Sequence, residues 1–304
     1  MRRRTPWVVL AALMVVAVGI VWGPRDLPAR LVNRYSPHSP LDPEEWARLY
    51  GYGPSEQVEF TFDRAHGRPF FRGEVNGRPA SLFFDSGNSF GLTVPAAWAR
   101  EEGWRVVGER PHVVGGEPTG TFPDFAVTSV SVAGVDLPLR VGTSGAGSDP
   151  SFGWPSLTGQ RITLDYAHGR AGISPSPLPE AITGSRDRYV TRYASPEGYQ
   201  GAVLIPIRIR GNRYLALVDT GASASAIDRK LADEWGLFPS IFGRVRLEGL
   251  EIGPFRLDVD SAARRPVSTL FRAGPRPHFV IGADVLCRFL VTFDYAGGRF
   301  ILER

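Results

Sequence analysis

The sequence predicts an all-β protein built from two similar lobes. The chain of 304 residues contains 35 glycines and 26 prolines among short apolar runs, a composition typical of strands joined by turns. In addition, one half of the sequence repeats in the other half. With 43% apolar residues, each half has enough material for a core of its own.

The N-terminus predicts a membrane anchor. Three arginines, Arg2, Arg3 and Arg4, precede an apolar run over residues 6–23, which is near the lower length limit for a helix that spans a bilayer. Because basic residues stay on the cytoplasmic side, we expect residues 1–23 to be a signal anchor and the rest to face outside the cytoplasm. The competing interpretation is a cleaved signal peptide and a secreted protein, although no A-x-A cleavage site follows the run.

The next segment, residues 24–56, predicts a tether that carries one short helix. Its first part is rich in proline and polar residues, which suits an extended chain. Asp42 is placed to cap the helix, Pro43 to be its first residue and Glu45 to complete a capping box. From Gln57 onward, alternating runs joined by tight-turn residues predict strands.

The internal repeat is the most informative feature. "VNGRPASLFFDSGNSFGLTV" in the first half aligns without gaps with "IRGNRYLALVDTGASASAID" in the second. In this alignment Asp85 matches Asp219, and Gly87 matches Gly221. A single Asp-x-Gly is usually only a turn. Two of them at equivalent positions of a duplication indicate a shared role.

A second pair of blocks follows in the same order. "FGWPSLTGQRITLDYAHGR" matches "IGADVLCRFLVTFDYAGGR", with Thr163 aligned on Thr292. The sequence therefore predicts one lobe over residues 57–175 and another over residues 199–304. Residues 176–198, rich in polar residues and turn-formers, predict the connection between them.

These blocks resemble the aspartic peptidases. "FFDSGNSFGLTVP" and "ALVDTGASASAID" resemble the two active-site loops of that family, and "FVIGADVL" resembles the apolar segment that packs behind such a loop. The resemblance covers about 245 residues. It implies two retropepsin-like lobes in one chain, related by a pseudo-twofold axis as in pepsin-like enzymes. Together with the N-terminus, it implies a bacterial-type membrane-anchored aspartyl protease.

The resemblance also implies a catalytic pair, Asp85 and Asp219. In aspartic proteases, as is established for that class, two carboxyl groups about 3 Å apart share one proton and titrate as a coupled pair. The ionised member activates water and the protonated member polarises the scissile carbonyl. We therefore expect no metal and no cofactor. The five dispersed histidines form no metal-ligand spacing.

Neighbouring residues have supporting roles in the family. Gly87 and Gly221 allow the loop backbone to approach the opposite lobe closely. Ser86 and Thr220 carry small hydroxyl groups that, in the family, hydrogen-bond across the interface and lock the two loops together. Such contacts hold the carboxylates in the geometry that catalysis needs.

The first lobe contains an extra segment that predicts a flap. The stretch from Gly103 to Gly134 spans 31 positions, whereas the corresponding stretch from Gly236 to Gly249 spans 13. Within the extra segment, three glycines suggest a mobile hairpin, and in the family a single flap on the first lobe closes over the substrate. An ordinary exposed hairpin is the alternative. The three glycines are Gly115, Gly116 and Gly120.

Two positions depart from the pepsin-like pattern, which has Ser or Thr directly after the Asp-x-Gly. Ala222 is what retropepsin-like loops carry at this place, whereas Asn88 is unusual. One role open to Asn88 is a hydrogen bond to a carboxylate of the pair, which would change the working pH. The direction of that change stays open.

Two functional hypotheses remain. The first is a monomeric, membrane-tethered aspartic endopeptidase that acts on polypeptides; the second is a catalytically silent relative that binds peptides or a partner protein. Nucleic acid is not expected as a partner, because the net charge of +4 comes from scattered arginines without interleaved aromatic residues. Cys287, the single cysteine, excludes an intramolecular disulfide and is predicted to lie in the core.

Overall fold

The structure, a computed structural model, describes residues 43–62, 67–114, 117–145, 149–179, 188–195, 201–240, 242–271 and 274–304. The predicted signal anchor and residues 24–42 of the predicted tether lie outside this part of the chain. Among the residues described, no helix has both the length and the apolar character needed to span a bilayer.

The described part of the chain is mostly β, as predicted, and contains four short α-helices. The strands of the first lobe and of the connection are β1 (Gln57–Glu59), β2 (Thr61–Phe62), β3 (Pro69–Val75), β4 (Arg78–Asp85), β5 (Leu92–Pro95), β6 (Val106–Val114), β7 (Glu117–Ala126), β8 (Val130–Val132), β9 (Val135–Asp136), β10 (Val141–Gly145), β11 (Ser151–Gly153), β12 (Arg161–Asp165), β13 (Arg170–Ser174) and β14 (Arg188–Arg192).

The second lobe repeats this arrangement with fewer strands. Its strands are β15 (Leu204–Ile209), β16 (Asn212–Val218), β17 (Ala226–Asp228), β18 (Arg244–Ile252), β19 (Phe255–Arg265), β20 (Phe279–Ile281), β21 (Leu290–Asp294) and β22 (Arg299–Glu303). The helices are α1 (Pro43–Tyr50), α2 (Ala96–Glu101), α3 (Arg229–Glu234) and α4 (Ala283–Leu286), and 3-10 turns occupy Pro54–Glu56, Trp154–Leu157 and Val267–Thr269.

The duplication predicted from the sequence is visible in the sheets. Neighbouring strands run β10-β5-β11-β4-β3-β8 in the first lobe and β19-β17-β20-β16-β15-β18 in the second. In the second lobe the strands close into a barrel, because β18 also pairs with β19. The two-residue turns Asn76-Gly77 and Arg210-Gly211 have matching positive φ angles, as tight hairpins require.

A six-stranded sheet joins the two lobes, in the order β1-β13-β12-β21-β22-β14. At its centre β12 and β21 are antiparallel, and Thr163 lies directly opposite Thr292. Their hydroxyl oxygens are 2.8 Å apart. Since these threonines are equivalent in the repeat, the pseudo-twofold axis passes between them. Strand β14, within the predicted connection over 176–198, forms one edge of this sheet.

The segment before the first lobe packs against this sheet. Helix α1 begins at Pro43, as predicted, while its proposed cap Asp42 lies outside the residues described. The Tyr50 hydroxyl donates to Glu303 Oε2 at 3.0 Å, and the Tyr52 hydroxyl lies 2.7 Å from Thr163 Oγ1. Residues 43–56, assigned to the tether from the sequence, are therefore part of the folded base of the molecule.

The extra segment of the first lobe forms the β6–β7 hairpin. The turn between β8 and β9 contains Gly134 and its counterpart between β18 and β19 contains Gly253, both with positive φ. The match of Gly134 with Gly249 was thus wrong, because Gly249 lies at an irregular position inside β18. Counted to Gly253, the second lobe spends 17 positions after Gly236 against 31 in the first lobe.

Candidate active site

Each aspartate lies at the end of a buried strand. Strand β4 ends at Asp85, which pairs in parallel with Gly153 of β11. Asp219 follows β16, and its backbone N–H donates to the carbonyl of Ile281 in β20 at 3.0 Å. Because both strands are held on both sides by neighbours, the two loops emerge from rigid elements and not from a flexible surface.

The fold brings the two predicted residues together. The loop that carries each aspartate lies against the carboxyl group of the other, so Asp85 and Asp219 face each other at the lobe interface, where both keep part of their surface exposed. Backbone donors hold each carboxylate: the N–H of Gly87 lies 2.9 Å from Asp85 Oδ1, and that of Gly221 lies 2.9 Å from Asp219 Oδ1. The backbone N–H of the following residue adds a further donor to Asp219 at 3.2 Å.

Burial dominates the electrostatics of the pair. Burial among protein atoms raises the pKa of Asp85 well above its usual value, and the negative charge of Asp219 raises it further. Burial also raises the pKa of Asp219, while the backbone donors of its loop oppose that rise. The pair is thus arranged to retain a proton where isolated carboxyls would lose theirs.

The two loop glycines cross over the opposite carboxyl group. A β-carbon on Gly221 would lie 2.5 and 2.7 Å from the two carboxylate oxygens of Asp85. A β-carbon on Gly87 would lie 2.8 and 2.9 Å from those of Asp219. Real β-carbons do not approach so closely, so glycine is required at both positions by space and not by φ.

The hydroxyl groups of Ser86 and Thr220 join the loops through four hydrogen bonds. Thr220 Oγ1 donates to the carbonyl of Phe84 at 2.7 Å and accepts from the N–H of Ser86 at 3.0 Å. Ser86 Oγ donates to the carbonyl of Val218 at 2.9 Å and accepts from the N–H of Thr220 at 3.0 Å. Both side chains are fully buried, and the arrangement is symmetric about the axis.

An aromatic cluster supports the loop from below. The ring of Phe84, directly before Asp85, packs on Phe152 and Phe293 with centroid distances of 5.4 and 5.3 Å. Phe293 belongs to the second lobe, so this contact also crosses the interface. Cys287, predicted to be core, is buried in the same apolar cluster.

The side chain of Asn88 does not reach either carboxylate of the pair. Its amide donates to Thr93 Oγ1 and Ser151 Oγ and accepts from the N–H of Phe90. The hypothesis that this side chain forms a hydrogen bond with a carboxylate of the pair is therefore wrong. Ala222, at the matching position, contributes its backbone N–H to Asp219.

The predicted flap is a hairpin that lies beside the first loop. Gly115 and Gly116, which separate β6 and β7 in the sequence, lie outside the residues described, and Gly120 lies in β7 opposite His112. The guanidinium of Arg110 in β6 lies 5.4 Å from the ring centroid of Phe90, two residues beyond Asn88. This contact connects the hairpin to the segment that carries Asp85.

Sequence reasoning missed a polar contact behind the second loop. The N–H and Oγ of Ser225 donate to Asp284 Oδ1 at 2.8 and 2.7 Å. Burial raises the pKa of Asp284, while these two donors oppose the rise. The signal was the aspartate directly after the Gly-Ala of "FVIGADVL". Within the described part of the chain, no cluster of three or more His, Cys, Asp or Glu side chains could hold a metal ion.

The fold is that of an aspartic proteinase. No protein-family model and no curated protein sequence matches the chain. Among solved structures, it is similar to the crystal structure of an aspartic proteinase from Irpex lacteus, with a TM-score of 0.52 and 13% sequence identity. The similarity covers 81% of this chain and 96% of that protein. At this identity the comparison establishes the fold, and the chemistry rests on the site itself.

Proposed function

We propose that this protein is an aspartic-type endopeptidase that cleaves polypeptides with water activated by Asp85 and Asp219. The observation that carries the proposal is the packing of each loop glycine, Gly87 and Gly221, against the carboxyl group of the opposite aspartate at the lobe interface. A cleft that only bound a partner would have no physical need for two adjacent half-buried acids that repel each other when ionised. The aspartic-proteinase fold supports the same conclusion.

The chemistry follows from one proton shared by two carboxyls. The ionised carboxylate takes a proton from a water molecule as the water oxygen attacks the carbonyl carbon of the peptide bond. The protonated carboxyl donates to the carbonyl oxygen, which becomes a hydroxyl of the tetrahedral intermediate. The proton taken from water then passes to the leaving nitrogen as the C–N bond breaks. When the hydroxyl proton returns to the pair, the starting state is restored.

The remaining side chains prepare this geometry. Ser86 and Thr220 fix the separation of the two loops, and the glycine N–H groups hold one oxygen of each carboxylate, so the reacting oxygens are positioned before substrate binds. We propose that the β6–β7 hairpin, with Gly115, Gly116 and Gly120, covers a bound polypeptide and excludes water.

We further propose that the enzyme works as a monomer, tethered to a membrane with its active site outside the cytoplasm. Support comes from the sequence, in which residues 1–23 combine a basic start with an apolar run. Extraction of membranes with alkaline carbonate tests the tether, and accessibility of the intact chain to external protease tests its orientation. Release of the chain by carbonate, or protection from protease, would contradict this part of the proposal.

A cleavage assay with the full chain tests the enzymatic function. We expect the purified protein to cleave a denatured protein at some pH between about 3 and about 7, since the dyad needs one proton. The variant Asp219→Asn, which keeps the shape of the side chain, should lose at least about 1,000-fold in kcat because it cannot act as a base. Equal cleavage by both proteins, or none by either, would contradict the proposal and favour a silent peptide-binding relative.

A further inference from the structure

The two active-site loops differ at the residue that follows each Asp-x-Gly. Asn88 occupies this place in the first lobe and is only 8% exposed, whereas Ala222 occupies it in the second. A buried amide is destabilising unless its donors and acceptor are satisfied. The partners of Asn88 therefore indicate what its side chain does.

The side-chain amide of Asn88 bonds three groups of the first lobe. Nδ2 donates to Thr93 Oγ1 at 3.1 Å and to Ser151 Oγ at 3.0 Å. Oδ1 accepts from the N–H of Phe90 at 2.8 Å. The backbone N–H of Phe90 requires an acceptor, which fixes the orientation of the amide. The side chain is thus a three-way connection between the loop and two strands.

The partners lie where the loop meets the sheet. Thr93 in β5 and Ser151 in β11 face each other in antiparallel register, and two residues further along β11, Gly153 pairs with Asp85. The backbone carbonyl of Asn88 also lies so close to Gly153 that a β-carbon there would collide with it. Displacement of Asn88 would therefore displace the strand that holds Asp85.

The second lobe fixes its loop by a different device. There the Ser225 side chain and N–H donate to the partly buried carboxyl group of Asp284, and the N–H of Gly282 donates to Ser225 Oγ at 3.1 Å. In the repeat, Asp284 corresponds to Pro155 and Ser225 to Gly91, so the first lobe has no equivalent carboxyl group at this place. One loop is held by a carboxyl group and the other by an amide.

We propose that Asn88 is a positioning residue that holds the Asp85 loop onto β5 and β11 with an uncharged side chain, in place of the carboxyl contact in the other lobe. The absence of charge matters because Asp85 already lies beside Asp219. A third carboxylate nearby would raise the pKa of Asp85 further. This inference rests on the proposed function only for its kinetic consequences. The positioning itself is a property of the loop.

Two substitutions separate the geometric role from the electrostatic one. Asn88→Ala removes all three side-chain bonds, and we expect kcat to fall about 10- to 100-fold with KM almost unchanged, because the side chain contacts the loop and not the substrate. Asn88→Asp keeps the shape and can accept from both hydroxyls and from Phe90, but it adds a charge. We expect it to raise the pKa at which the pair loses its shared proton, and so to shift the alkaline limb of the pH profile upward by about one unit.

A charge control and an NMR titration accompany these two variants. Asn212→Asp introduces the same charge at an exposed position, the first residue of β16, and should leave the profile unchanged. Carbon-13 NMR of aspartate carboxyls in the full chain follows the titration of Asp85 without any need for activity. If Asn88→Asp shifts neither this titration nor the pH profile, or if Asn88→Ala lowers thermal stability without lowering kcat, the inference is overturned.

These outcomes also distinguish the inference from the proposed function. If the wild-type chain cleaves no polypeptide but Asn88→Asp raises the titration of Asp85, the enzymatic proposal fails and the positioning role stands. If the wild type cleaves and the variant titrates as the wild type does, the positioning role fails and the enzymatic proposal stands.

Discussion

The hydroxyl of Thr220 offers the sharpest test of how the two lobes are joined. Thr220→Val keeps the shape of the side chain but removes Oγ1, which bonds the carbonyl of Phe84 at 2.7 Å and the N–H of Ser86 at 3.0 Å. Both partners then lie buried and lose a bond. Each unsatisfied buried group costs about 1 to 3 kcal/mol, and the carbonyl is at the lower end of that range. We therefore expect the free energy of unfolding to fall by about 2 to 4 kcal/mol.

Urea unfolding and thermal denaturation of the full chain measure this loss. For a chain of this length, the expected free-energy change lowers Tm by about 3 to 6 °C. Thr269→Val is the matched control, because Thr269 is exposed and bonds only locally, to the carbonyl of Pro266 at 2.7 Å; it should change stability by less than about 0.5 kcal/mol. Equal effects of the two substitutions would refute the importance of the cross-lobe bonds. A double-mutant cycle of Thr220→Val with Ser86→Ala should show coupling of about 1 kcal/mol or more.

Two further outcomes follow from the same site. Gly221→Ala would place a β-carbon 2.5 Å from a carboxylate oxygen of Asp85, so cleavage should fall at least about 100-fold, while Gly53→Ala, whose β-carbon would meet nothing nearer than 3.8 Å, should cleave normally. The raised pKa of Asp85 means that the wild type loses free energy of unfolding as pH rises from about 4. Asp85→Asn lacks this group, so its free energy of unfolding should rise relative to that of the wild type over the same range. A difference in urea unfolding free energy that stays constant with pH would contradict this sign.

The fold was predictable because the sequence contains two copies of the same series of strands and turns. Short apolar runs bounded by Gly-containing turns predict strands, and the match of two such series in the same order predicts two equivalent lobes. The structure confirms the all-β fold and adds that Thr163 and Thr292, aligned in the repeat, face each other at the pseudo-twofold axis. The repeat could not show that these residues touch. The repeat shows that the two threonines are equivalent, whereas contact between them depends on how the lobes pack.

The site was predictable to the level of its residue types. Two Asp-x-Gly motifs in equivalent blocks pointed to Asp85 and Asp219, and the fold places each carboxyl group against the loop of the other. Asn88 and Asp284 show where prediction stopped. Asn88 bonds Ser151, a residue 63 positions away, and Asp284 bonds Ser225, a residue 59 positions away. No local pattern encodes such partners.

The sequence alone thus determined the architecture, the equivalence of the lobes and the two acids at their loops, because strand periodicity, turn residues and a repeat are local properties of the chain. Only the tertiary structure decided the inequality of the two halves. A side-chain amide fixes one loop where a carboxyl group fixes the other. This difference arises from the partners of each group, which exist only after distant segments have packed together.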